Sequence, residues 1–225
     1  MQNQSAEVSW GANDTPVSAR FDDPYYSLED GLAETRHVFL DGNRLAERLR
    51  DGFHIAELGF GTGLNFLSAL HLWQEMDAPG TLHFTSFEAY PMAPDDLARS
   101  LARFDALGEL RTTLAASWDP AGGVFAPVPG VRLEVIVGDA RETLPRWSGR
   151  ADAWFLDGFS PAKNPELWSA PLMEAVGART GSGGTCATYT AAGFVRRALA
   201  DAGFAVQRVP GFGRKRHMTV GSMPA

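Results

Sequence analysis

The stretch His54-Ile55-Ala56-Glu57-Leu58-Gly59-Phe60-Gly61-Thr62-Gly63-Leu64-Asn65 constrains the fold more than any other part of the chain. An apolar run ends in an acid and three alternating glycines, and helix formers follow at once, from Leu64 to Met76. The pattern reads as a buried parallel strand, a tight glycine turn and a helix N-terminus. Glycines in such a turn let backbone N–H groups approach a ligand, and the helix end favours negative charge. The spacing is G-x-G-x-G with an acid two residues before the first glycine. The dinucleotide fingerprint is G-x-G-x-x-G instead. Such a turn can also exist without a ligand, and cofactor binding is the favoured reading.

The rest of the chain alternates strands with helices. At 225 residues it can hold one α/β domain plus a small appendage. Residues 1–40 are expected to be that appendage, packed on a core domain of residues 41–225. Within it, Ser9–Gly11 and Pro16–Phe21 predict a β-hairpin around an Asn13-Asp14 turn. Ser27, with Asp30 three positions on, predicts a capped helix from Leu28 to about Leu40. A second helix is expected from about Asn43 to Arg50. Core strands are expected at 53–58, 82–88, 131–137, 153–156, 185–189, 204–209 and 217–221. Helices are expected at 64–76, at 94–117 with a break near Gly108, at 166–178, and from a Thr190 cap to Ala202. Residues 121–130 read as a Gly/Pro-rich loop, and Gly181-Ser182-Gly183-Gly184 as a helix stop. Such alternation specifies a mostly parallel, seven-stranded sheet with helices on both faces, and the final two strands a hairpin at its edge.

Ligands of open α/β sheets bind outside the carboxyl ends of the strands. Four strand ends here carry an acid: Glu57, Glu88, Asp139 and Asp157. One such acid is more often a solvated carboxylate or a helix cap; four at one sheet edge argue for a site. Glu88 lies 25 residues beyond Gly63, where an acid reaches ribose hydroxyls. A carboxylate accepts from both hydroxyls at once and repels a 2′-phosphate. Asp139, followed by Ala140, suits an adenine amino contact.

Composition narrows the class. The formal net charge is −7, so a nucleic-acid partner must meet a local basic patch. The single cysteine, Cys186, lies in an apolar run and reads as buried packing, which suits a cytoplasmic protein. The five histidines show no metal-ligand spacing. No apolar run reaches a membrane span, and Met1–Gly11 is polar, without a signal-peptide pattern.

The G-x-G-x-G turn resembles the first motif of class I S-adenosylmethionine (SAM) methyltransferases. That resemblance implies a Rossmann-like fold with SAM as cofactor. The turn residues Gly59, Phe60, Gly61, Thr62 and Gly63, with Asn65, would surround its amino-acid end, and Glu57 would hold its amino group. Asp157 ends strand four, where amino-nitrogen methyltransferases often carry Asn/Asp-Pro-Pro-aromatic. Here the run is Asp-Gly-Phe-Ser-Pro, a departure from that pattern. Asp157 would accept a hydrogen bond from an amine beside the methyl group, and Phe159 would form an aromatic wall. Glu166 and Trp168 read as the start and packing of the next helix.

Longer motifs sharpen the resemblance. Residues 57–67, 154–165, 192–197 and 211–216 resemble the methyltransferase domain of MnmC, whose free-standing form is MnmD. Residues 15–18, 21–23, 31–36 and 38–43 match it as well, so the likeness runs from about Trp10 to Gly221. Leu58 departs from the small residue of that family. The resemblance implies methylation of the 5-aminomethyl amine of 2-thiouridine at the tRNA wobble position. Some members also carry an FAD-dependent oxidase domain. No second glycine fingerprint occurs here, so an oxidase is expected only as a separate partner, and the chain is expected to be a monomer.

An acidic chain must still attract tRNA. Arg214-Lys215-Arg216 is the densest basic run, with Arg196 and Arg197 on the preceding helix and Lys163 beside the target pocket. Arg20 and Arg36 add charge in the N-terminal segment. Clustered near the strand ends, these would form a positive patch; singly, an arginine is usually solvated. Tyr25, Tyr26 and Phe159 are candidates to stack on a splayed base, although the tyrosines could equally pack the appendage. Two other readings compete. An NAD-dependent oxidoreductase is disfavoured by the glycine spacing and by the lack of a hydride-site histidine or tyrosine–lysine pair. A catalytically silent, methyltransferase-like RNA-binding module is disfavoured by the four strand-end acids.

Overall fold

The computed structural model describes residues 5–225. The first four residues of the polar N-terminus, where the expected 1–40 segment begins, lie outside the described residues. Strand β1 (Val8–Trp10) pairs antiparallel with β2 (Pro16–Ser18), closing the expected hairpin. Asn13 and Asp14 make its turn at φ 55° and 56°, a conformation these residue types tolerate. An unexpected third strand, β3 (Asp23–Pro24), adds to β2.

The next helix starts later than the sequence predicts. Asp30, not Ser27, caps α1 (Gly31–Thr35): its carboxylate accepts from Ala33 N at 3.0 Å. A π-helical turn, Arg36–Asp41, completes the expected span. Arg44 adopts φ 54°, so only α2 (Leu45–Arg48) forms where a longer helix was expected.

The core then follows in order. It runs through β4 (His54–Leu58), α3 (Leu64–Glu75), β5 (Leu82–Glu88), α4 (Pro94–Leu101) and α5 (Glu109–Ser117), with Gly108 at φ 52° making the break. The loop at 121–130 holds an unexpected strand, β6 (Gly123–Phe125), antiparallel to β7 (Val131–Val137). Next come α6 (Ala140–Thr143), β8 (Ala151–Leu156), α7 (Ala170–Ala178), β9 (Thr180–Thr188), α8 (Gly193–Asp201), β10 (Ala205–Pro210) and β11 (His217–Ser222). Residues 165–168 form a separate 3-10 turn before α7. The Gly181–Gly184 run is an irregularity inside β9, not a helix stop: Ala151 pairs with Thr180 and Ala153 with Thr185. Thr190 does not cap α8; Ala192 stands at that position.

The large sheet has the order β10-β11-β9-β8-β4-β5-β7-β6. Five central strands are parallel, and β10, β11 and β6 run antiparallel to their neighbours. The seven expected strands are present, and β6 makes eight. Both faces are covered, and the side-chain period of two shows it. Ile55, Ala153 and Phe155 enter one core with Phe66 and Leu70 of α3, while Ala56, Trp154 and Leu156 enter the other with Met173 of α7 and Leu199 of α8. Tyr26, Val38, Phe39 and Leu40 share the α3-side core, which fastens the N-terminal segment to the sheet. Chain order reverses between β4 and β8, so the crevice opens at their carboxyl ends. Among the described residues, no helix is long and apolar enough to cross a membrane.

Candidate active site

The glycine turn sits in that crevice. Gly59, Gly61 and Gly63 all take positive φ, at 88°, 53° and 77°. A Cβ on Gly59 would lie 2.6 Å from the Asp157 carbonyl oxygen, so β4 and the end of β8 can approach only through glycine. A Cβ on Gly61 would meet the Tyr25 ring at 3.2 Å. Thr62 is buried, and Phe60 stacks on Trp118 with ring centroids 4.9 Å apart, which anchors the turn in the core. The turn opens on a cavity of about 1310 Å³. Small-molecule sites usually span about 300–1,000 Å³, so this one has room for a cofactor and a second reactant.

Three strand-end acids converge there, two of them joined by one side-chain network. Glu57 is fully buried; Ser86 Oγ, its cross-strand neighbour on β5, donates to Oε2 at 2.7 Å. Asn65, on the first turn of α3, donates from Nδ2 to Glu57 Oε1 at 2.9 Å and to Asp157 Oδ2 at 2.7 Å. Burial pushes the Glu57 carboxyl well above the usual range, against the two hydrogen bonds it accepts, and Asp157 and Glu88 raise it further. Asp157 lines the cavity and is pushed up to about 7, again chiefly by burial. A carboxyl shifted into this range can exchange a proton or accept a hydrogen bond near neutral pH. Glu88 is buried and held by Gly61 N at 2.9 Å and Tyr90 N at 2.7 Å, and burial raises it too. The fourth acid behaves differently. Asp139 caps α6 and pairs with Arg141, whose guanidinium holds it below the usual range. Asp139 and Ala140 still border the cavity.

The N-terminal segment supplies one wall. Phe21 stacks on Phe159 at 4.7 Å, and Tyr25 meets Phe159 edge-on at 5.1 Å. Trp168 Nε1 donates to the Phe159 carbonyl at 3.0 Å, so Trp168, from the 3-10 turn that precedes α7 and not from the helix expected there, fixes the backbone at Phe159. Tyr26 does not join the wall as a stacking platform. Its hydroxyl donates to Ser100 O at 3.0 Å and its ring packs edge-on against Phe104 in the core.

The basic groups at the cavity mouth do not form the expected free patch. Lys163 pairs with Asp22 and Asp23, Arg214 with Glu29, and Lys215 with Glu34 at 2.7 Å. Lys215 also lies 4.1 Å from the Tyr189 ring, and both it and Glu34 influence the charge of Asp157. Arg196, Arg197 and Arg216 lie outside the cavity lining. With Arg208, Arg196 and Arg216 surround His217 and hold its imidazole down together with burial, its largest cause. Among the described residues none of these arginines has an acid within ion-pair distance. Sequence reasoning missed Thr35, Glu34, Ser86 and Tyr189, because their roles depend on partners distant in the chain. The motif at residues 31–36 was the one signal that marked Glu34 and Thr35.

A parallel sheet whose switch point carries a G-x-G-x-G turn over buried acids defines an α/β enzyme that binds an adenosyl cofactor. The chain belongs to the S-adenosyl-L-methionine-dependent methyltransferase family, which it matches over residues 109–224. It is 46% identical over 230 residues to the tRNA 5-methylaminomethyl-2-thiouridine biosynthesis bifunctional protein MnmC of Hahella chejuensis, an alignment covering 98% of this chain and 37% of that protein. The corresponding protein of Pseudomonas paraeruginosa is 47% identical, with 97% of this chain and 35% of that protein covered. The chain thus spans little more than a third of the curated relatives it matches. Among solved structures, MNMC2 from Aquifex aeolicus superposes with a TM-score of 0.76 at 28% identity, covering all of this chain and 73% of that one. A precorrin-6y C5,15-methyltransferase from Geobacter metallireducens shares the fold, with a TM-score of 0.55 at 13% identity over 96% of this chain and 100% of that one.

Proposed function

We propose that this chain methylates the primary amine of 5-aminomethyl-2-thiouridine at the tRNA wobble position, giving 5-methylaminomethyl-2-thiouridine. The observation that carries the reading is Asp157, fixed by Asn65 beside the glycine turn and facing a cavity large enough for two reactants. The names of the MnmC relatives point to the same nucleoside. Bound SAM supplies an electrophilic methyl group. Glu88 would hold its ribose hydroxyls, Glu57 its amino group through the Asn65 network, and the backbone of the glycine turn its amino-acid end. Asp139 would reach the adenine amino group with the lone pairs that Arg141 leaves free.

An alkylamine has a pKa of about 10 in water and must shed a proton to attack. Asp157 accepts a hydrogen bond from it and directs its lone pair, while Phe159 and Tyr25 border the base. Most of the rate enhancement then comes from positioning and exclusion of water. Arg196, Arg197 and Arg216, with Arg208, offer unpaired cations for the phosphate backbone, and Lys163, Arg214 and Lys215 flank the entrance. On this reading residues 1–40 complete the site of a 41–225 catalytic domain. The protein acts on tRNA in the cytoplasm. The test is incubation with radiolabelled SAM and tRNA lacking only the terminal methyl, followed by nucleoside mass spectrometry. Label in the wobble nucleoside supports the reading, and SAM binding without transfer overturns it in favour of a silent RNA-binding module.

A further inference from the structure

The buried side chain of Thr35 touches none of the reacting groups, yet its hydroxyl donates to Asn65 Oδ1 at 2.9 Å. Asn65 has one acceptor and one NH2 group. Both hydrogens of that NH2 are used, one on Glu57 and one on Asp157. Reversing the amide would turn its oxygen toward two carboxyl groups. The hydroxyl of Thr35 is the complement that holds the opposite edge. We propose that Thr35 is a positioning residue for methyl transfer, fixing the Asn65 amide so that Asp157 presents its other oxygen to the substrate amine. This inference rests on the proposed amine reading.

The geometry gives the role direction. Asp157 Oδ2 is occupied by Asn65, and no side chain among the described residues hydrogen-bonds its Oδ1. Thr35 is held in turn by its own helix, whose preceding residue, Glu34, is tied to Lys215. The N-terminal segment thus reaches the reacting carboxylate through one side chain, Asn65. A hydrogen bond to a carboxylate favours its charged form, so loosening Asn65 should raise the pH at which Asp157 ionises.

Thr35→Val keeps the shape and removes the donor, whereas Thr35→Ser keeps the donor. Single-turnover methylation of the amine-bearing tRNA would be followed from about pH 5.5 to 9 to locate the acid limb. We expect Thr35→Val to lose about tenfold in rate below the limb, with the limb displaced upward, as for a shift of about one unit in the acid. The melting temperature should stay near parental, and Thr35→Ser should restore both rate and limb. If Thr35→Val fails to fold, Thr35→Ala makes the same comparison. A parental rate and limb in the folded Val or Ala variant would overturn the proposal. So would a Ser variant as impaired as Val, since the methyl group would then be what matters. A second readout is independent of tRNA: the 15N-labelled side-chain amide of Asn65 should titrate with Asp157 in the parental protein and lose that response in Thr35→Val. If the parental protein leaves the tRNA amine unmethylated, the substrate reading fails, while the amide titration still decides the role of Thr35.

Discussion

Asp157 is the residue at which binding and chemistry should separate. Asp157→Ala should leave SAM and tRNA affinity close to parental and cut the single-turnover rate by about a hundredfold or more. Asp157→Asn keeps a carbonyl acceptor without the charge. If orientation dominates, Asn retains much more rate than Ala; if proton acceptance dominates, the two are similarly poor. Parental turnover in both would reduce Asp157 to a structural acid. The cofactor side has its own residues. Gly61→Val sets a branched side chain at φ 53° against Tyr25 and should abolish SAM binding in a protein that still folds, measured by calorimetry. Glu88→Ala should weaken SAM by about 1–3 kcal/mol, since charge-assisted bonds go unmade. The positions of Glu57, Glu88 and Asp157 were legible because each ends a strand whose period is plain. Thr35 was not, because a threonine inside a helical run looks the same whether or not an asparagine lies opposite. Asp139 shows the converse: the pattern marks the acid but not the arginine two residues on that neutralises it.

At the scale of elements, α1 and the turn between β10 and β11 act together. Lys215 favours the charged form of Asp157 and Glu34 opposes it. Lys215→Ala should therefore move the acid limb of the rate profile upward, and Glu34→Gln should move it downward. Limbs that stay in place in both would show that the pair is screened from the site. Phosphate binding should depend more on the arginines around His217. Arg208→Ala and Arg216→Ala should each reduce the salt slope of tRNA binding by about one while SAM affinity is retained. An unchanged slope would place the RNA elsewhere. The main helices and parallel strands were readable from hydrophobic periodicity. Strand β6 was not, because Gly122 and Gly123 at positive φ, with Pro127 and Pro129 beyond, carry the composition of a loop. The extension of β9 was hidden likewise by its glycines. The acid partners of Lys163, Arg214 and Lys215 lie in other elements, so a basic run in the sequence misstated the charge at the cavity mouth.

For the whole molecule, the buried acids make stability depend on pH in an unusual direction. The folded Asp157 ionises at about 7, above the usual carboxylate value, so its contribution is full below pH 4 and is lost as pH rises through 7. Glu57 and Glu88 shift in the same direction. The cofactor-free protein should thus lose stability between about pH 4 and 7 on account of these groups. Asp157→Asn should stabilise it by about 1–3 kcal/mol at pH 8, allowing for solvent reaching the cavity, and have little effect at pH 4. Thermal melting at the two pH values checks this, and equal shifts at both would mean that the carboxylate is not held out of water.

Glu34 and Lys215 meet across 181 residues of chain, whereas Thr35 and Asn65 are separated by 30. Closing the longer loop costs conformational entropy that is offset only when the sheet between them is already in place. The inner contacts of the site can therefore form early and the outer pair only late. On this ordering the charges that tune Asp157 would be set only once the chain from Glu34 to Lys215 has closed.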